Sequence, residues 1–152
     1  MVYQNRIWNH YKSEGERRIG EYLKEKCIDF TYERPVAVIE NSMVRLWYPD
    51  FHLNDYHILI EYLGMNGNSK NDKVNDYKRR VYRENRLDLI EIYPSDFKNS
   101  WQDKIDSGIY KTLEGRVRDY VSRTHYRPSP PSSHKNNAQL SFKFCPKGSY
   151  KQ

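Results

Sequence analysis

Apolar positions recur along the chain at two periods, and the switches between them mark the elements. Ser13 and Glu16 have the spacing of a capping box, with Ser at the N-cap and Glu at N3. Ile19, Leu23 and Cys27 then fall on one helical face. Residues 28–39 read as a strand, with Phe30, Tyr32 and the run from Val36 to Ile39, and Asn41-Ser42 is a turn signal. Residues 43–53 read as a second strand in which Pro49 marks an edge, a bulge or an end. After Asn54-Asp55, residues 57–63 form a strongly apolar third strand, the natural centre of a sheet. Residues 64–68 are loop, and 72–86 read as a helix with Val74, Tyr77, Lys78, Val81 and Asn85 on one face. Residues 87–93 are a fourth strand, which a helical crossover makes parallel to a neighbour. The expected core is therefore αβββαβ, an α/β fold with a mixed central sheet flanked by helices.

Beyond Pro94-Ser95-Asp96 the pattern predicts another helix. Ile109, Leu113, Val117 and Val121 then form one stripe over 109–122. Residues 128–133 (Pro-Ser-Pro-Pro-Ser-Ser) read as an extended linker, and Leu140, Phe142 and Phe144 alternate in the tail. This divides the chain into a core over 1–97, a helical extension over 98–127, and a linker and tail over 128–152.

Mean hydropathy is −1.03, a value that would permit disorder. The 14 Tyr, 5 Phe and 3 Trp argue instead for a packed domain. No apolar run approaches a membrane span, the N-terminus lacks an apolar signal region, and the two cysteines match no zinc spacing. An intracellular, reducing compartment is the expectation. Net charge is +6, unevenly placed. Residues 1–97 hold 15 Lys/Arg against 16 Asp/Glu, whereas 98–152 hold 11 against 4. A basic third beside a nearly neutral domain suggests a polyanionic partner, with double-stranded DNA first and an anionic membrane second. Lys111, Arg116, Arg118, Arg123 and Arg127 are the candidate phosphate contacts.

The candidate chemistry lies on the second and third strands. Asp50 follows Pro49 at a strand end, and Glu61 interrupts the apolar run 57–63. A carboxylate in so apolar a strand is costly unless it is paired or binds a metal. Adjacent strands would bring the two acids together, and two carboxylates suit Mg²⁺, with Mn²⁺ as a substitute. His52 alternates onto the face of Asp50, as a base, a phosphate contact or a structural histidine.

With Pro49-Asp50, Glu61 within Ile60-Glu61-Tyr62, and the order αβββαβ around them, the chain resembles the PD-(D/E)XK nuclease superfamily over about residues 12–97. Within it the likeness is to small phage or homing-type endonucleases and mismatch-repair-type nucleases. The resemblance implies Mg²⁺-dependent phosphodiester hydrolysis with Asp50 and Glu61 as metal ligands. It also implies a site role for Glu16 on the first helix, although capping alone explains a glutamate there. The motif calls for lysine two residues after the second acid, where this chain has Leu63. Some members supply that cation from the following helix, which makes Lys78 the candidate. The alternatives are a catalytically degenerate DNA-binding protein, a structure-specific repair or junction nuclease, and an interaction protein whose acids are buried anchors. Cutting both strands with so small a domain is simplest for a homo-oligomer.

Overall fold

A computed structural model of the chain describes residues 11–64 and 69–124. Arg127, the 128–133 linker, the alternating tail and most of the 64–68 loop lie outside the described residues. The order is α1 (Glu14–Glu25), β1 (Phe30–Tyr32), β2 (Val36–Glu40), β3 (Met43–Trp47), β4 (Phe51–Leu53), β5 (Ile58–Tyr62), α2 (Ser69–Glu84), β6 (Asp88–Ile92), a 3₁₀ turn (Asp96–Lys98) and α3 (Trp101–Thr124). The fold is mixed α/β.

Two of the expected long strands are each broken in two. The span 28–39 breaks at Glu33-Arg34-Pro35, where Glu33 takes φ 49° and Pro35 offers no N–H. The span 43–53 breaks at Tyr48-Pro49-Asp50 for the same lack of a donor. The freed middle pieces, β2 and β3, form an antiparallel hairpin of their own. Asn41 and Ser42 turn it with φ 50° and 62°, the positive pair that matches the twist of a two-residue hairpin. The expected helix after Asp96 and the helix over 109–122 are one continuous α3, preceded by the 3₁₀ turn.

The main sheet has the order β1-β4-β5-β6. β4 pairs antiparallel with β1 and β5, and β6 pairs parallel with β5, the expectation for a helical crossover. Alternation sends Phe51, Leu53, Ile58, Ile60, Ile90 and Ile92 to one face. There they pack against Ile19, Tyr22 and Leu23 of α1 and Trp101, Ile105 and Ile109 of α3. The first half of α3 therefore belongs to the core, past the boundary that charge suggests at residue 97. The other face carries His52, Leu59, Glu61 and Glu91, and α2 covers it with Val81 and Tyr82. The hairpin leans on α2 through Val38, Trp47 and two hydrogen bonds between Asn85 and the Ile39 backbone. Its outer residues Ile39, Val44 and Leu46 stay exposed. No helix among the described residues is long and apolar enough to cross a membrane.

Candidate active site

Pro49 ends the hairpin excursion and returns the chain to the sheet, so that Asp50 enters β4 opposite the end of β5. The register continues from Phe51↔Ile60, and the Tyr62 N–H donates to Asp50 Oδ2 at 2.7 Å. Asp50 is thereby fixed beside Glu61. The Asp50 carboxyl is pushed up to about 7, first by burial and then by the Glu61 charge, with the Tyr62 N–H and Lys78 opposing. That is the signature of two carboxylates sharing a partly dry site.

Glu61 is 3% exposed, and α2 meets the buried carboxylate with two groups one helical turn apart. Lys78 Nζ donates to Oε2 at 2.9 Å, and the Tyr82 hydroxyl donates to Oε1 at 2.7 Å. Burial and the Glu61 charge push the Tyr82 phenol up, keeping it a donor. Lys78 is partly exposed, so its ammonium reaches the acid from the solvent side along a stem lying over the sheet. Lys78 thus stands against Glu61, and Leu63, where the motif calls for lysine, is buried.

Glu16 caps α1 and also faces this end of the sheet. Ser13 Oγ accepts from the Glu16 N–H at 3.2 Å and donates to Glu16 Oε1 at 2.8 Å. Glu16 Oε2 accepts from the Lys12 N–H at 3.0 Å and from the Tyr32 hydroxyl. The residue is 7% exposed, and its charge is felt at Asp50. Both oxygens thus have donors, Ser13 on Oε1 and the Lys12 N–H and Tyr32 on Oε2, and Glu16 is an electrostatic neighbour of the acid pair.

None of the other predicted site residues among those described forms a hydrogen bond or ion pair with Asp50 or Glu61. His52 is buried, and its Nδ1 lies 3.1 Å from Asn54 Oδ1 and 3.5 Å from Arg34 Nη1, which gives it structural partners. Arg116 closes α3 onto the sheet, donating to Asp88 at 2.6 and 2.9 Å and to the carbonyls of Tyr56 and His57. Arg118 pairs with Glu114 at 2.9 Å and Arg123 with Asp119 at 4.0 Å, both within α3. Lys111 is exposed and lines a cleft beside β6.

Tyr82, a partner of Glu61, is not among the candidates that the sequence pattern marks. Nor is the neighbouring group in which Arg79 donates to Glu91 and to the Tyr93 hydroxyl. The available signal was spacing: Tyr82 stands four residues after Lys78 and shares its helix face. Among the described residues no group of three or more His, Cys, Asp or Glu side chains is gathered as a metal cage. Two carboxylates completed by water nonetheless fit Mg²⁺, which binds through one or two acids and retains its waters. A cation between Asp50 and Glu61 would relieve the repulsion that Lys78 offsets only in part. No family model matches the chain, and no curated protein or solved structure matches it either.

Proposed function

We propose that the chain is a Mg²⁺-dependent DNA endonuclease of PD-(D/E)XK type. The observation that carries this reading is the convergence of Asp50, Glu61 and Lys78, three groups from three elements, at one end of the sheet. Asp50 and Glu61 would hold the ion. The chemistry Mg²⁺ supplies when bound is Lewis acidity toward a water and a phosphoryl oxygen. Lys78 supplies a fixed positive charge for the extra negative charge that builds on the phosphoryl oxygens. Asp50 is held by the Tyr62 N–H, and Glu61 by Tyr82, so neither acid must reorganise when substrate arrives. In the net reaction a water oxygen bonds to phosphorus, one P–O ester bond breaks, one water proton passes to the leaving alkoxide and the other to solvent.

A second reading, a nuclease fold that binds DNA without cutting it, draws on Glu61 itself. Both of its oxygens already have donors in Lys78 and Tyr82, so the acid is satisfied without a metal. Plasmid and four-way-junction DNA incubated with protein and Mg²⁺, and in parallel with EDTA, separate the two. The nuclease reading expects nicking or linearisation that EDTA and Asp50→Asn both abolish. No cleavage of either substrate, with salt-sensitive binding retained, supports the second reading. A preference for the junction assigns the repair-type substrate over a homing-type site.

A further inference from the structure

Charge summed over residues 1–97 hides a strongly basic segment within them. From Ser69 to Arg86 there are seven Lys/Arg against three Asp/Glu. The described part of the basic third, 98–124, holds only six against four. Arg79 and Arg83 lie one turn apart on α2, and Arg86 follows just past its end. Lys104 and Lys111 lie on α3, about 10 Å apart along its axis. Between these two rows runs β6, whose outer edge has no strand partner among the described residues. Together they wall an open cleft of ≈ 780 Å³.

The acids in and beside the cleft are already taken. Asp88 is held by Arg116, Glu91 by Arg79, and Asp96 by Lys104. Asp119 lies near Arg123. Arg83, Arg86 and Lys111 are exposed and have no ion pair among the described residues. A surface that only solvates would intersperse acids with these cations; here the acids are consumed and three positive charges remain along one groove. The cleft lies one strand away from the acid pair. Glu91, within its lining, is the register partner of Glu61 one strand away, about 5 Å across the sheet.

We propose that this cleft is the track for the phosphate backbone of duplex DNA, with Arg83, Arg86 and Lys111 as its phosphate contacts. The choice of DNA rests on the nuclease reading; the polyanion follows from the unpaired charge. The distal α3 arginines, Arg118 and Arg123, are paired within their helix and are not the main contacts.

Binding of a short labelled duplex by the full chain, held in EDTA so that nothing is cut, tests this. Affinity is measured over a range of salt for the wild type, R83Q/R86Q/K111Q, the milder R83Q/K111Q, and R118Q/R123Q as the control. Each lost phosphate contact should remove about 0.9 from the slope of log affinity against log salt. The expected results are slopes shallower by about 2.7 and about 1.8 for the two cleft variants, and an unchanged slope for the control. Unchanged slopes in both cleft variants overturn the track, as does a larger loss in the control. A wild type that does not bind the duplex, or binds single-stranded RNA more tightly, overturns the choice of partner. Because cleavage plays no part in this readout, the nuclease reading can fail with the track intact. Cleavage by the wild type beside unchanged slopes is the opposite case.

Discussion

Two carboxylates placed side by side in a partly dry site raise the cost of ionising either one, and at this site Asp50 carries that cost. Lys78 lowers it by standing on Glu61, which ties the lysine's proposed catalytic role to a structural one. Lys78→Ala should cost ~10²–10³-fold in cleavage rate, the scale of one lost transition-state stabiliser. It should also lower thermal stability, because a buried glutamate keeps only the Tyr82 hydroxyl. Glu61→Gln should abolish cleavage with a smaller loss of stability, since the half-exposed lysine it leaves behind can turn to water. Cleavage assays beside melting curves check the pair; a Lys78→Ala protein that melts and cuts like the wild type would remove both roles. Asp50, Glu61 and Lys78 were legible in the sequence because each breaks its local pattern: an acid after a strand-ending proline, an acid in an apolar strand, a lysine on an apolar helix face. Tyr82 was not, because a tyrosine on an apolar helix face obeys the pattern and only the Glu61 opposite it gives its hydroxyl a task.

Each proposed site residue is only as well placed as the element beneath it, and α1 shows how tightly that placement is set. A Cβ at Gly15 would stand 2.2 Å from the Tyr62 ring, the residue whose N–H holds Asp50. Glycine lets the first turn of α1 lie directly on the end of β5. In an open helix, Gly→Ala gains about 1 kcal/mol from propensity. Gly15→Ala should instead destabilise the protein, because the Tyr62 ring packs on Phe97 and displacing it disturbs the Asp50 contact. Gly115→Ala on α3, where a Cβ meets nothing, should stabilise by the ordinary amount. Urea midpoints of the two variants give the comparison, and equal gains would show that α1 can move away from Tyr62. α1, α2, the central strand and both turns were legible at this scale because periodicity and turn chemistry are local. The detachment of β2 and β3 from the sheet was not. Pro35 and Pro49 announced breaks, but only the docking of Val38 and Trp47 on α2 decides that the piece between them forms its own hairpin.

Across the whole molecule, charge acts through stability as well as binding, and the acid pair makes a pH dependence of definite sign. In the folded, metal-free protein the Asp50 carboxyl sits at about 7, well above the 3.8 of an unperturbed aspartate. Between those values the unfolded chain has released this proton while the folded chain retains it, so stability contributed by the group falls as pH rises. The contribution is fully present below the unfolded value and is gone above the folded one. Asp50→Asn cannot ionise and removes that slope. In EDTA its advantage over the wild type in urea midpoint should therefore be small at about pH 4 and largest above about pH 7. Mg²⁺ should reverse the order near neutral pH. An ion bound only by the folded state stabilises it in proportion to the logarithm of its concentration over Kd, and only the wild type keeps both ligands. The wild-type melting temperature should then rise with Mg²⁺ while that of Asp50→Asn stays level. A wild type that gains nothing from Mg²⁺ while losing stability between about pH 4 and 7 would leave the acid pair a buried polar anchor rather than a metal site.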